Sequence, residues 1–321
     1  MDWKRFYAAE LADPRGRETV AAALARHQGG DPRLGAALRA GAIASFPHVT
    51  VRDSSDLIAT VVESVVAARA KRVVALGVLH ASVLPAPFDA CHASLRDDTP
   101  AGAEAFARLR GAFVDTVAVE TPFGRIEATR SPDVDPLLRR EPAALQHEFS
   151  LDLFLAFLAA SAAAHGVRPP EVIRLYVSVV RDAAGGYDTA ASLAASIQKL
   201  LGDETVCVAT GDVAHLGHGY GPDEETARLP ADKSVLTEML TASLRDMHEA
   251  ALARHDFATS WEIGTRLRSD QRQILPVIAE LLGRGASCEP LAFGLSDYAD
   301  INGRPRPCFV AAALNLFRPR S

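Results

Sequence analysis

Three short segments of this 321-residue chain carry side chains suited to metal or proton chemistry: Phe46-Pro47-His48, Gly77-Val78-Leu79-His80 and Gly211-Asp212-Val213-Ala214-His215. Each follows an apolar, β-like run, namely Ala42-Ile43-Ala44, Val73-Val74-Ala75-Leu76 and Val206-Cys207-Val208-Ala209. In an open α/β sheet, ligands bind outside the carboxyl ends of the strands, so residues distant in sequence can converge there. Imidazole and carboxylate are the groups that bind transition metals and move protons near neutral pH. A single strand-end histidine is adequately explained by a hydrogen bond to backbone. Two of them, His48 and His80, on strands expected to be neighbours, point to metal binding or catalysis. Asp212 and His215 share a D-x-x-H spacing in a segment with glycines at 211, 217, 219 and 221. Glycine lets the backbone pass close to a ligand, and an oriented neutral histidine is the common general base. A surface turn whose aspartate caps a helix is the other reading of that spacing.

The remaining histidines divide by context. His218 reads as solvated or as a group that supports the site from behind. His92 falls in an irregular stretch, residues 81–111, that could hold a lid. His147 precedes a helix start and could line a pocket or flank it. His27, His165, His248 and His255 fall on expected surface helices or at their ends, and no function is assigned to them.

The elements that must position these groups follow from periodicity. Residues 1–40 are helix-prone. A strand is expected over 41–47, then a helix capped by Asp53-Ser54-Ser55 and running to about Arg69, with Leu57, Ile58, Val61, Val62, Val65 and Val66 on its apolar face. The continuous run from Lys71-Arg72 to Leu79 reads as a central strand buried on both sides. Strands are also expected over 113–120, 125–129, 172–180, 205–210, 291–295 and 309–317. Thr121-Pro122-Phe123-Gly124 is expected to turn, and 211–223 is expected to be a loop. Helices are expected over 150–165, 190–201, 231–254 and 270–283. Alternating β and α elements with no repeat or linker imply one α/β domain over 1–321, with 1–40 as a helical lead-in.

Composition bounds the rest. Hydrophobic residues make up 48% and charged residues 23%, an ordinary globular balance. A net charge of −6 argues against nucleic acid or an anionic membrane surface as main partner. The four cysteines show no C-x-x-C or finger spacing, and Cys207 and Cys308 lie in apolar runs, so neither a disulfide framework nor a structural zinc site is expected. No apolar leader and no membrane-length stretch are present, which gives a cytoplasmic expectation.

Together the segments resemble the Memo family and, more distantly, the class III extradiol ring-cleaving dioxygenases. The family's P-H-A-G-Y segment is similar to Pro47-His48-Val49-Thr50-Val51 and its G-P-S-H segment to Gly77-Val78-Leu79-His80. Its T-P-L-G turn is similar to Thr121-Pro122-Phe123-Gly124, its E-H-S-L-E helix start to Glu148-Phe149-Ser150-Leu151-Asp152, and its S-S-D-L-S-H-Y-G motif to Thr210-Gly211-Asp212-Val213-Ala214-His215-Leu216-Gly217. The resemblance implies a three-layer α/β sandwich with a mostly parallel sheet and a metal pocket at the strand ends. On the dioxygenase pattern His48 and His80 are metal ligands and His215, with Asp212, is the acid/base. The chain departs from the family at Val51, where Memo has tyrosine, and at Phe149, where it has histidine. The family's third-ligand cysteine falls near Ser269, and the adjacent Asp270 is the expected replacement. Asp270 would otherwise be an ordinary first-turn residue favoured by the helix dipole.

Replacing thiolate by carboxylate moves the preference from Cu(I) or zinc toward the two-histidine, one-carboxylate set of Fe(II) oxygenases. The resemblance therefore implies a non-heme Fe(II) enzyme acting with O2 on a small aromatic or amino-acid-like molecule, with Cu or Zn as other metals. Arg266, Arg268 and Arg272 could pair with a substrate carboxylate. Two alternatives stay open: a Memo-like metal- or peptide-binding protein without turnover, and a Zn-assisted hydrolase. A homodimer is compatible with either.

Overall fold

A computed structural model describes residues 1–95, 100–128 and 135–320. Its eleven strands are β1 (Ile43–Phe46), β2 (Arg72–Val78), β3 (Ala112–Asp115), β4 (Val119–Thr121), β5 (Gly124–Ile126), β6 (Leu138–Arg139), β7 (Glu171–Val177), β8 (Thr205–Thr210), β9 (Ala214–Gly217), β10 (Ser287–Asp297) and β11 (Cys308–Arg318). Nine of them form one sheet in the order β10-β11-β1-β8-β2-β7-β3-β6, with β9 on the free part of β11. β1, β8, β2 and β7 pair in parallel, while β11, β3 and β6 run the other way. The sheet is therefore mostly parallel, with helices on both faces. β4 and β5 form a separate hairpin closed by Thr121–Gly124.

The parallel centre follows from its residues. β2 is buried from Val73 onward, and its side chains alternate between two cores: Val73 and Ala75 join one, Val74, Leu76 and Val78 the other. That two-sided burial is why β2 reads as a continuous apolar run. The helices Val51–Ala67 and Asp152–Ala164 cover the first face, and Asp188–Gln198, Lys233–His248 and Gln271–Leu282 cover the second. Among the described residues no helix is long and apolar enough to cross a membrane.

Several expectations change. β1 and β2 are not neighbours, because β8 lies between them; His48 and His80 therefore face each other across the end of β8. The first buried helix starts at Val51, so Asp53-Ser54-Ser55 sit inside its first turn, where Asp53 Oδ2 accepts a hydrogen bond from Thr50 Oγ1 at 2.8 Å. Residues 81–111 are largely helical, with helices Phe88–Ser94 and Pro100–Leu109; residues 96–99 of that stretch lie outside the described set. The run 113–120 breaks into β3 and β4. The return strand stops at Ile126, and Thr129 lies outside the described residues. The helix Phe257–Leu267 was not anticipated: its apolar positions are separated by polar and small residues, and it buries only one side.

The change that matters most concerns 211–223. It is not all loop, because Ala214–Gly217 is β9. β11 is long enough to pair twice: Asn315–Phe317 with β1, and Cys308–Ala311 with β9. β9 thus takes over where β1 stops, which carries Asp212 and His215 directly above the end of β1.

Candidate metal centre

His48 follows the end of β1. Its backbone N–H donates to Asp212 Oδ1 at 3.0 Å, its Nδ1 lies 3.1 Å from Thr210 Oγ1, and its backbone carbonyl accepts from the Tyr7 hydroxyl. His80 follows the end of β2. Its backbone N–H donates to Glu148 Oε2 at 2.7 Å and its Nδ1 lies 3.1 Å from Glu148 Oε1. Glu148 is fully buried and also accepts from the backbone N–H groups of Phe149 and Ser150. The Phe149 ring stacks on His80, with centroids 4.5 Å apart and planes 14° from parallel. His215, on β9, holds its Nδ1 2.8 Å from the Arg268 carbonyl.

The third element is the turn between Phe257–Leu267 and Gln271–Leu282. Arg268 adopts a left-handed φ of 53°, which reverses the chain sharply. The Asp270 N–H then donates to the Asp212 carbonyl at 3.0 Å, tying this turn to the β8–β9 segment. Asp270 stands just ahead of a helix, yet its side chain makes no capping bond. Its Oδ2 instead lies 3.5 Å from His48 Nε2, 3.8 Å from His80 Nε2 and 3.9 Å from His215 Nε2.

All three imidazoles thus have Nδ1 engaged outward and Nε2 turned toward one carboxylate. His48 and His80 present their Nε2 atoms 3.2 Å apart. Asp212 Oδ2 completes the cluster, 3.8 Å from His48 Nε2 and 3.6 Å from His215 Nε2. Ligand atoms about 2.0–2.2 Å from one ion stand about 3–4 Å from each other in tetrahedral or octahedral geometry, and these spacings fall in that range. Two overlapping sets, His48/His80/Asp270 and Asp212/His215/Asp270, could each hold a metal ion. An outer partner on Nδ1 is the usual companion of a metal-bound histidine, because it fixes the ring and its tautomer.

The electrostatics agree with this geometry. Burial alone would lower the pKa of His80, but Glu148 and Asp270 outweigh it and push the value up to about 10. Burial likewise works against a charge on His215, and Asp270 and Asp212 push it up to about 9. Burial opposes ionisation of Glu148, yet His80 and the surrounding N–H donors bring it down to about 2. Asp270 is held well below the usual carboxylate range, against burial, by His215, His48 and His80. Ionised Glu148 and Asp270 therefore flank protonated imidazoles, and a divalent cation held by His48, His80 and Asp270 can take the place of the proton on His80 Nε2.

The raised histidine values set the pH response. Each stabilises the metal-free fold fully below the ordinary value of about 6.5, and that contribution is lost as pH rises through about 9 for His215 and about 10 for His80. Thermal melts should show the metal-free protein weakening across that window. Metal should add more stability as pH rises toward about 10, because binding displaces the His80 proton and tightens as it leaves.

Other residues named from sequence are not in the cluster. His147 is exposed; its neighbour Glu148 does the inward-facing work. Ser269 is buried and donates its hydroxyl to the Asp212 carbonyl at 3.3 Å. His218 pairs with Asp223, and His92 borders a different cleft. Arg266 is exposed, whereas Arg268 and Arg272 border the cavity over the cluster. His248 is not a surface residue: it is 3% exposed, and burial lowers its pKa to about 4 while Nε2 meets Gln271 Oε1 at 2.9 Å. The stretch 1–40 is more than a lead-in, since Trp3 and Tyr7 wall a cavity of about 410 Å³ over the cluster.

Glu148, Thr210, Tyr7, Tyr220 and Tyr298 were assigned no role from sequence. Thr210, as the last residue of β8, was the one with a usable signal, because it stands beside Gly211 at the same strand-end level as the histidines. Glu148→Gln should cost about 10–100-fold in metal affinity, read by competition with a chromogenic chelator; unchanged affinity would remove Glu148 from the site's design. No protein-family model matches this chain, and no curated protein matches it.

Proposed function

We propose that this chain is a metal-dependent oxidoreductase of the non-heme iron, dioxygenase-like type. His48, His80 and Asp270 would hold Fe(II), and the substrate would be a small aromatic or amino-acid-like molecule. The observation that carries the reading is the shared posture of the three imidazoles, each tied back through Nδ1 with Nε2 facing Asp270. The residues fit a metal: the donors are nitrogen and carboxylate oxygen, and among the described residues no cysteine borders the cavity. That set suits iron better than Cu(I). Bound Fe(II) supplies redox chemistry and open coordination positions for O2 and substrate.

The chain's own residues do the rest. His215 holds or moves a proton at Nε2, with Asp212 Oδ2 3.6 Å away and its ring orientation set by the Arg268 carbonyl. Tyr220 packs against the His215 ring, centroids 5.0 Å apart, and restricts its rotation. Trp3, Tyr7 and Phe149 give the cavity an aromatic wall. Metal analysis of purified protein, anaerobic Fe(II) reconstitution and O2 uptake across a substrate panel test the reading. Substrate-dependent O2 uptake that requires iron supports it. Tight zinc with hydrolysis and no O2 uptake replaces it with metal-assisted hydrolysis. Failure to bind any metal overturns it in favour of a binding protein.

A further inference from the structure

The cavity over the metal cluster has a cationic side. Arg268, Arg272 and Arg304 border it. Arg268 is neutralised by an ion pair with Glu225. Arg272 is not: among the described residues no carboxylate oxygen lies within 4.0 Å of it. Its position is nevertheless fixed, because Nη1 donates to the Ser269 carbonyl at 2.6 Å. That bond uses one of the five N–H donors of the guanidinium fork. Arg272 follows Asp270 by two residues, so the same turn that places Asp270 at the cluster also places this guanidinium beside it.

A second cleft, of about 770 Å³, shares Arg268 and Arg272 with the metal cavity. It adds Arg181, whose guanidinium lies 5.4 Å from the centre of the Trp261 ring and which likewise has no carboxylate within 4.0 Å among the described residues. Two partly buried arginines with no anion partner among the described residues, one of them over an aromatic ring, offer positive charge next to the cluster where a ligand would sit. Arginine matches carboxylate and phosphate oxygens in a planar two-point contact that lysine cannot reproduce.

We propose that the substrate of this site is a small organic anion, and that Arg272 is the residue that selects it by pairing with its carboxylate or phosphate group. The proposal rests on the reading of the cluster as a metal site with a small-molecule substrate. It adds the substrate's charge and the residue that reads it. The reacting end then lies toward His215, and the anionic end lies toward Arg272 and the Trp261 side.

Calorimetric titration with benzoate, phenyl phosphate and uncharged benzyl alcohol tests this, on metal-free protein and on protein loaded with zinc as a redox-inert ion. At least one of the two anions should bind about 10–100-fold more tightly than benzyl alcohol. Arg272→Gln should reduce that anion to the benzyl alcohol level, and Arg272→Lys should restore part of the difference. Metal stoichiometry, measured on the same samples, should not change in either variant. Equal binding of anions and alcohol overturns the proposal. So does anion binding that persists in Arg272→Gln and disappears with the metal, which would mean that the anion ligates the ion directly. Loss of metal from the wild-type protein with Arg272-dependent anion binding intact would instead count against the metal reading and leave the anion subsite standing.

Discussion

His48→Ala or His80→Ala will abolish stoichiometric metal binding, with a loss of affinity well beyond the about 10–100-fold expected for an outer partner such as Glu148. Each variant removes one of two nitrogen donors that stand 3.2 Å apart and face the same carboxylate. The two variants should differ in stability. His48 leaves behind Thr210, whose neutral hydroxyl carries no charge to be compensated. His80 leaves behind Glu148, which is fully buried and whose ionised state depends on that imidazole. Removing one partner of a buried charged pair costs about 3–5 kcal/mol, and three backbone N–H groups that still reach Glu148 place His80→Ala toward the lower end. Adding Glu148→Gln to His80→Ala should recover much of the lost stability without recovering metal binding. Metal content by elemental analysis and urea midpoints of the four proteins check both halves. Retained stoichiometric metal in either single variant would mean that the substituted histidine is not a ligand.

Much of this architecture was legible because it rests on short-range patterns. The continuous apolar run of β2 and the strand ends at His48 and His80 follow from local sequence, and so does the turn at Thr121–Gly124. What was not legible depends on long-range pairing. Nothing local in 211–223 says that β11 extends beyond β1 and offers its free edge to Ala214–Gly217. The glycines that suggested a loop are partly there for close approach: a Cβ on Gly217, whose φ is +93°, would meet the Pro307 carbonyl oxygen at 2.1 Å. The interposition of β8 between β1 and β2 is a matter of topology, and it is what places Thr210 behind His48. Glu148 escaped for another reason. A carboxylate beside an exposed histidine at a helix start reads as a surface group, and only the fold shows it buried against His80. Asp270 stood between an ordinary helix-start role and a ligand role. The missing capping bond and the three nearby Nε2 atoms show where its carboxylate faces, which spacing alone could not.

The division of labour within the cluster is tested at His215. His215→Gln should lower turnover by about 10²–10⁴-fold, the usual contribution of a positioned acid/base, while metal stays bound. The argument is geometric. His215 belongs to the donor set with Asp212 and Asp270, whereas His48 and His80 form theirs with Asp270 alone. A proton on His215 Nε2 is favoured by both carboxylates, and the Arg268 carbonyl fixes the ring so that this proton faces the cluster. Glutamine keeps polarity and approximate size but cannot exchange a proton near neutral pH. Asp212→Asn should also slow turnover, with a second consequence: its Oδ1 accepts the His48 N–H at 3.0 Å, so an asparagine that turns its amide nitrogen to that N–H displaces His48 as well. The pH profile separates the two roles. If His215 acts as acid/base, His215→Gln removes one limb of the wild-type kcat profile while metal content stays at the wild-type level; if it is a ligand, the variant loses metal in proportion to activity and the surviving fraction keeps the wild-type profile.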